Sequence, residues 1–275
     1  MGRPFLKMNG LGNDFVVVEA RSEPFSPSPS EAQSIADRAK GIGCDQLISI
    51  EPSAKADVRM RIWNADGGEV EQCGNAARCV GWLVMEAGHK DEATIEAAGR
   101  LLSVSRAGPK KVTLDMGAPK LGWQDIPLAE AMDTRGVELQ VGPIDKPLLH
   151  TPGCVSMGNP HAVFFVEDAE TAPVREVGSM LEHHRLFPER ANIGFAQIKR
   201  RDRIRLRVWE RGVGVTRACG TGACAAVVAA HRRALCGRKA TVELDGGELL
   251  VEWRPRDNHV LMTGPVELEY AGRLP

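Results

Sequence analysis

Short hydrophobic stretches recur along both halves of the chain. Segments 58–63 and 204–209 alternate apolar side chains with arginine, which is typical of a strand with one exposed face. Segments 15–18 and 162–166 are short apolar runs and predict buried strands. Hairpin strands closed by polar turns are predicted at 101–104, 112–114, 249–251 and 260–262.

Three segments have the pattern of helices. Ser30 and the acidic and amide residues after it predict a helix that runs to about Lys40. Segments 73–88 and 219–230 are apolar on nearly every side, so a helix in either place must be buried all round. We expect each of these two helices to lie at the centre of a sheet that wraps around it.

The chain repeats itself when it is shifted by 146 positions (219 − 73). Identical or similar residues then coincide along both halves. The matched pairs are Asn13 with Asn159, Gln46 with Asn192, Arg59 with Arg205, Arg61 with Arg207, Trp63 with Trp209, Gly68 with Gly214, Cys73 with Cys219, Gly74 with Gly220, and Ala77 with Ala223. So many matches in one register indicate two homologous halves.

The repeat predicts an α+β fold of two pseudo-symmetric domains, each a mainly antiparallel sheet or barrel around a central buried helix. The first domain is predicted at 1–118 and holds Cys73, and the second at 119–264 holds Cys219. Segment 265–275 alternates like a strand and is predicted to return to the first domain. Segment 121–152 has no partner in the shift, so we interpret it as a connection or an insertion.

The charge balance argues against a nucleic-acid or membrane-surface binder. Lys and Arg total 35 and Asp and Glu total 36, whereas such binders carry a basic excess. No apolar stretch approaches the roughly 18–20 residues of a membrane span, and the first residues do not resemble a signal peptide. Seven cysteines, an odd number, indicate reduced thiols. A cytoplasmic protein is therefore expected.

Both central helices begin with Cys, then Gly, then a small polar residue. A thiol at a helix N-terminus lies at the positive end of the helix dipole, which is expected to lower its pKa. The first-turn N–H groups of Gly74, Asn75, Gly220 and Thr221 can bind a carboxylate. The alternative to a reactive thiol is that the cysteine serves only as a small buried hydrophobic residue. That alternative is favoured for Cys44, Cys79, Cys154, Cys224 and Cys236, which have no partner in the repeat.

Two thiols in homologous halves predict one site at the interface of the halves, with a thiol on either side of the ligand. This geometry fits inversion of a stereocentre, in which a thiolate removes a proton and the opposite thiol returns one. The cysteine spacings exceed those typical of zinc sites. No dinucleotide or phosphate-binding loop is present, although motifs alone leave a pyridoxal enzyme open.

Four motifs closely resemble those of the diaminopimelate epimerase family, in the same order along nearly the whole chain. They are Gly10-Leu11-Gly12-Asn13-Asp14-Phe15, Asn64-Ala65-Asp66-Gly67 with Cys73-Gly74-Asn75-Ala76-Ala77-Arg78, Gly158-Asn159-Pro160-His161, and Glu210-Arg211-Gly212-Val213-Gly214 with Ala218-Cys219-Gly220-Thr221-Gly222. The resemblance implies interconversion of LL- and meso-2,6-diaminopimelate in lysine and peptidoglycan-precursor synthesis. It also implies that no cofactor and no metal take part, and that the protein is a homodimer.

The resemblance further implies a set of site residues. Cys73 and Cys219 are the acid–base pair, and His161 and Glu210 tune the pKa values of the thiols. The substrate-binding positions are Asn13, Gln46, Asn64, Gly74, Asn75, Asn159, Asn192, Glu210, Arg211, Gly220 and Thr221. Among these, Arg211 is suited to the distal carboxylate, and Asn64, Asn192 and Glu210 to the distal ammonium.

The chain departs from the family pattern at four positions. Trp63 and Trp209 stand where smaller aromatic residues are expected, Ala76 replaces a glycine, and Val215 replaces a glutamate. None of these removes a proposed ligand or thiol. Three other functions are kept as alternatives: a related two-cysteine racemase of the proline or hydroxyproline type, a thiol-redox or metal-binding protein, and a binding module without catalysis.

Overall fold

A computed structural model describes residues 2–70 and 73–274, which form two units. One unit is Met1–Asp115 with Thr263–Pro275, and the other is Met116–Met262. In the part of the chain that the structure describes, no helix is long and apolar enough to cross a membrane.

The first unit contains two helices, and its described strands all belong to one sheet. Its elements are β1 (Pro4–Gly10), β2 (Asn13–Glu19), α1 (Pro29–Ala36), β3 (Gln46–Glu51), β4 (Val58–Asn64), β5 (Glu69–Val70), α2 (Gly74–Gly88), β6 (Glu92–Ala97), β7 (Arg100–Gly108) and β8 (Lys111–Asp115). The second unit follows the same order after two short extra strands. Its elements are β9 (Gln140–Val141), β10 (Leu149–His150), β11 (Gly153–Ser156), β12 (Pro160–Phe165), α3 (Val174–Glu182), β13 (Asn192–Arg200), β14 (Arg203–Glu210), β15 (Gly214–Thr216), α4 (Gly220–Arg232), β16 (Lys239–Leu244) and β17 (Gly247–Trp253). The chain ends with β18 (Val260–Pro265) and β19 (Glu267–Arg273).

The strand pairing is the same in the two units. In the first, β1 pairs antiparallel with β2, β2 parallel with β3, β3 antiparallel with β4, and β4 parallel with β6. In the second, β11, β12, β13, β14 and β16 repeat this sequence of pairings. The register also repeats, because Phe15 faces Gln46 in one unit and His161 faces Asn192 in the other, which is the same shift as between the cysteines. The predicted two-repeat α+β fold is therefore confirmed.

Each parallel pair needs a crossover, and a helix supplies it. Helices α1 and α3 connect the first parallel pair of their units, and α2 and α4 connect the second. Helix α4 is buried from Gly222 to Ala230, as its apolar sequence predicted. Helix α2 is buried through Met85 on most sides, but its last turn is exposed, so the expectation of complete burial was wrong there. At Gly81 a Cβ would lie 2.5 Å from Val104, and this close approach lets α2 lie on β7.

Helix α1 is shorter than its sequence pattern indicated. It begins after Ser28, not at Ser30, because Ser28 and Glu31 form a capping box and Pro29 occupies the first helical position. It ends at Ala36, not near Lys40, because Asp37 adopts an extended backbone and its carboxylate accepts from the backbone of the next turn. Side-chain competition for backbone N–H groups is the physical reason for the early end.

The last strand, β19, lies antiparallel to β1, with Lys7 opposite Tyr270. The segment without a partner in the repeat, 121–152, has a structural part in the second unit. Its apolar residues join the core that packs around β12, β13 and α3; they are Ile126, Leu128, Val137, Leu139 and Leu149. This stretch is therefore more than a connection.

Candidate active site

The first half-site is built at the start of α2. Cys73 precedes the helix with an extended backbone, φ −150°, and is half-buried. The first intrahelical bond runs from Ala77 N–H to the Cys73 carbonyl at 3.0 Å. The N–H groups of Gly74 and Asn75 precede that bond, so the helix geometry gives them no partner within the helix. The start of α2 therefore offers two backbone donors beside a thiol.

Two other side chains, those of Arg78 and Asn13, hold the side chain of Asn75. The buried Arg78 donates from Nη2 to Asn75 Oδ1 at 2.9 Å. Asn75 Nδ2 donates to Asn13 Oδ1 at 2.7 Å. Because both ends of the Asn75 amide are engaged, its side chain is fixed at the start of α2.

A network of four charges, of which Lys7 is buried, Asp14 is half-buried and Arg38 is exposed, lies next to Asn13. Asn13 Nδ2 donates to Asp45 Oδ2 at 3.0 Å, and Arg38 joins Asp45 and Asp14 at 2.7 Å each. Lys7, 5% exposed, lies 2.6 Å from Asp14 Oδ2. Burial by itself raises the pKa of Asp14, but the hydrogen bonds from Arg38 and Lys7 outweigh it and hold that pKa well below the ordinary range. Asp14 is thus ionised at neutral pH.

Gln46 and Asn64 lie side by side on β3 and β4. Gln46 Nε2 donates to Asn64 Oδ1 at 2.9 Å. Among residues 2–70 and 73–274, the buried Gln46 Oε1 has no hydrogen-bond partner. A buried acceptor without a partner costs stability unless a ligand donates to it, so Gln46 Oε1 is suited to an ammonium group.

The second half-site is built at the start of α4, and its thiol is more deeply buried. Cys219 is 3% exposed, Gly222 N–H donates to its Sγ at 3.4 Å, and Thr221 Oγ1 lies 3.6 Å from the sulfur. Burial and then the negative charge of Glu210 raise the pKa of this thiol well above its ordinary value. The prediction that the helix dipole lowers the thiol pKa was wrong for Cys219, because desolvation and a neighbouring carboxylate outweigh the dipole.

Glu210 lies at the end of β14 beside Cys219. Its own pKa is raised by burial, although hydrogen bonds from Thr216 and Cys219 act in the opposite direction. Thr216 Oγ1 donates to Glu210 Oε1 across the turn between β14 and β15. Glu210 therefore lies within hydrogen-bond reach of the Cys219 thiol.

Asn159 and His161 form the second-half counterpart of the Asn13 region. Asn159 Nδ2 donates to Thr221 Oγ1 at 3.4 Å, and His161 Nε2 lies 3.1 Å from Asn159 Oδ1. Since the amide oxygen can only accept, the Nε2 of His161 carries the hydrogen. His161 is 1% exposed, and burial together with the charge of Arg211 lowers its pKa to about 3. His161 is therefore a neutral ring that orients the side chain of Asn159.

Asn192 and Arg211 complete the second half-site. Asn192, 2% exposed, donates from Nδ2 to the Pro160 carbonyl at 2.9 Å and accepts from Arg211 N–H at 3.0 Å. The exposed Arg211 side chain donates to the Glu189 carbonyl at 3.0 Å. Its remaining donors leave the guanidinium able to bind a carboxylate.

The other cysteines have the character of core residues. Burial raises the pKa of Cys44 and Cys236 to about 11, and of Cys79 and Cys154 to about 12. In the described parts of the chain, no three His, Cys, Asp or Glu side chains lie together in a way that could hold a metal ion.

Sequence reasoning missed the residues that support the site. Asp45 accepts a hydrogen bond from Asn13, and Thr216 donates one to Glu210. Glu182 accepts one from the Gly212 N–H, in the turn that follows Glu210. Asp45 directly precedes Gln46 and could have been suspected from that position. Glu182 lies 28 positions before Glu210 in the sequence, and only the fold brings it to the turn that follows β14.

Solved structures share the fold of this chain. A predicted epimerase from Pseudomonas aeruginosa aligns with a TM-score of 0.70 at 18% identity, and the alignment covers 99% of each chain. A hydroxyproline epimerase from Agrobacterium vitis aligns with a TM-score of 0.68 at 16% identity over 99% of this chain and 90% of that one. At these identities the likeness shows the two-repeat fold alone.

The sequence comparisons identify the family. The family model described as diaminopimelate epimerase matches residues 5–122 and 153–269. The diaminopimelate epimerase of Phenylobacterium zucineum is 63% identical over 276 residues, which cover 100% of this chain and 99% of the relative. The chain belongs to the diaminopimelate epimerase family, and the predicted family and enzyme class, an isomerase, are confirmed.

Proposed function

We propose that this protein interconverts LL- and meso-2,6-diaminopimelate, as its relatives' name states, and so serves lysine and peptidoglycan-precursor synthesis. The observation that carries the proposal is the full-length likeness to diaminopimelate epimerases together with a cysteine at the start of both central helices. The chemistry of the half-sites supports it in three respects: the thiols, the backbone donors and the polar side chains.

Cys73 and Cys219 are proposed as the two bases. One sulfur, as thiolate, takes the α-proton from one face of the stereocentre, and the electron pair moves into the adjacent carboxylate. The other sulfur, as thiol, gives its proton to the opposite face of the α-carbon and becomes the thiolate. The raised pKa of Cys219 supports its role as the protonated partner at rest, with Cys73 as the initial base.

The starts of α2 and α4 are proposed to bind the reacting carboxylate. Negative charge grows on that group as the α-proton leaves, and fixed N–H donors stabilise developing charge at little reorganisation cost. The donors are the backbone N–H groups of Gly74, Asn75, Gly220 and Thr221. Asn13 and Asn159 flank these helix starts through their bonds to Asn75 and Thr221.

The remaining polar residues are proposed to bind the distal amino-acid group. Gln46 Oε1, Asn64, Asn192 and the carboxylate of Glu210 supply acceptors for the distal ammonium, and Arg211 supplies donors for the distal carboxylate. His161 is proposed to act on the site through Asn159, because its neutral ring donates to that amide.

We further propose a cytoplasmic homodimer that acts on a small-molecule substrate without cofactor or metal, and without nucleic-acid or membrane partners. The near-neutral charge balance supports the last two statements. Strand β19 supports the dimer, because Leu268 and Tyr270 are 40% and 47% exposed there. Sedimentation equilibrium would test it, and a monomer at micromolar concentration would contradict it.

Proton NMR in deuterated water tests the activity. Purified, reduced protein is incubated with LL-diaminopimelate and no added cofactor. The expected result is loss of the α-proton signal and appearance of the meso isomer. Exchange of proline or hydroxyproline with none on diaminopimelate would favour the racemase alternative, and binding without exchange would favour a binding module.

A further inference from the structure

Trp209, the residue before Glu210, packs against helix α3 at a glycine. A Cβ added at Gly178 would lie 2.5–2.6 Å from three ring atoms of Trp209, which is too close for any side chain. A large aromatic residue in this position of β14 thus depends on the absence of a side chain at Gly178. The unusual Trp209 and Gly178 are two parts of one contact.

Glu182 lies four residues after Gly178 and therefore on the same face of α3. It is 3% exposed, and both of its carboxylate oxygens are in use. Trp209 Nε1 donates to Oε2 at 2.7 Å, and Gly212 N–H donates to Oε1 at 3.0 Å. The guanidinium of Arg190 and Nε2 of His183 each lie 3.9 Å from Oε1.

These two hydrogen bonds enclose Glu210 in the sequence, since one holds the residue before it and the other holds the turn after it. We propose that Glu182 is a positioning residue that fixes the carboxylate of Glu210 against the Cys219 thiol, by binding Trp209 and Gly212 at once. This inference rests on the proposed function, in which Glu210 and Cys219 take part.

Among the described residues of the first half, no carboxylate stands at the position that corresponds to Glu182. The repeat places Ala32 and Ala36 where the second half has Gly178 and Glu182, and both alanines are buried in the cluster that includes Trp63. Alanine offers no acceptor, and the corresponding turn is held instead by Gln33, whose Nε2 donates to the Asp66 carbonyl at 2.5 Å. The buried carboxylate is thus specific to the half that has Glu210 beside its thiol.

The test compares Glu182→Gln with wild type. Glutamine has nearly the same shape but only one accepting oxygen, so it loses one of the two bonds.

The measurements are kcat on LL-diaminopimelate and the pH dependence of Cys219 alkylation by iodoacetamide, followed by mass spectrometry. We expect kcat to fall about tenfold, as for the loss of one buried charge-assisted bond. The midpoint of alkylation should shift to lower pH, because Glu210 no longer stays close to the thiol. Glu176→Gln, an exposed carboxylate on the same helix, should change neither.

Trp209→Phe separates positioning from folding. It keeps a ring on Gly178 and removes only the indole donor, so it should shift the Cys219 midpoint in the same direction as Glu182→Gln. In the Trp209→Phe background, Glu182→Gln should cost less than in wild type, because its oxygen can still accept from Gly212. The proposal would be overturned if Glu182→Gln lowered kcat equally in both backgrounds. It would also be overturned if Glu182→Gln folded and kept the wild-type kcat and alkylation midpoint. If Glu182→Gln does not fold, an unshifted midpoint in Trp209→Phe overturns it. If wild type fails to epimerise diaminopimelate, the proposed function fails, whereas the alkylation midpoints still test the positioning.

Discussion

The two halves of this protein share a backbone frame but differ in how they support the same contact. Asn13 meets Asn75 in the first half, and Asn159 meets Thr221 at the corresponding positions in the second. Asn13 donates to the carboxylate of Asp45, which belongs to a partly buried network of four charges. Behind Asn159 stands the neutral ring of His161.

The two thiols also differ in burial and in the charge of their neighbours. Cys73 is half-buried, with the uncharged Asn64 at the end of the neighbouring strand, whereas Cys219 is 3% exposed and has Glu210 at the equivalent position. A duplicated frame thus gives two helix starts of similar shape and different electrostatics. For a reaction that needs one base and one acid at a time, such a difference assigns the resting roles.

The largest effect on kcat should follow removal of either thiol, since each half is proposed to supply one of the two acid–base groups. We expect Cys73→Ala and Cys219→Ala each to lower kcat at least about 10³-fold, because general acid–base catalysis by one group accounts for that much. The assay is meso product formation, with the melting temperature measured in parallel. Cys154→Ala, in the core of the second unit, is the control and should retain activity. A thiol variant with wild-type turnover would remove that half from the mechanism.

The next effect concerns the charge that distinguishes the halves. Glu210→Gln should lower kcat about 10²-fold, which is within the range for an acid–base group. The Glu210 charge raises the pKa of Cys219, so its removal should move the midpoint of Cys219 alkylation to lower pH, while burial still keeps that pKa above ordinary. Asn64→Asp, the reciprocal change in the first half, should move the Cys73 midpoint upward. Unchanged midpoints would show that the thiols are not differentiated by these residues.

The charge network of the first half should appear in acid stability. Asp14→Asn leaves Lys7 buried without its carboxylate, so we expect the free energy of unfolding at pH 7 to fall by about 3 kcal/mol. The folded pKa of Asp14 lies below its unfolded value of 3.8, so its stabilising contribution is present above about pH 4 and lost as the pH falls further.

The difference between wild type and Asp14→Asn should therefore shrink below about pH 4, as measured by urea unfolding. Asp125→Asn, an exposed carboxylate in the second unit, should match wild type throughout. A constant difference down to pH 2 would mean that the network does not depend on the ionisation of Asp14.

The smallest effect concerns His161. With a pKa of about 3, it is neutral from pH 5 to 8, so we expect His161→Gln, which can still donate to Asn159, to lower kcat/KM less than about fivefold. Because the unfolded chain protonates this histidine near pH 6.5 and the folded chain does not, stability should be lost as the pH falls below about 6.5. His161→Gln should lack that part of the pH dependence. A histidine titration near pH 6.5 in the folded protein, assigned to His161 by NMR, would contradict the buried neutral ring.

Much of the fold could be predicted because it depends on spacing. The shift that superposes Cys73 on Cys219 also reproduces the strand register, since Phe15 with Gln46 and His161 with Asn192 are paired alike. The end of α1 was not predicted, because Asp37 competes locally for backbone donors. Segment 121–152 was interpreted as a connection or an insertion, because it has no partner in the repeat, and its contribution to the core around α3 was not predicted.

By itself the sequence determined the two-repeat fold, the family, the positions of both thiols at helix starts and the set of polar side chains around them. These follow from residue type and order, which local chain geometry converts into helix starts and strand register. Only the tertiary structure decided the sign of the pKa shift of Cys219, the neutrality of His161 and the contact of Glu182 with the turn beyond Glu210. Each of these depends on burial and on charges brought together from distant parts of the chain, and desolvation and Coulomb energy are set by distances in space.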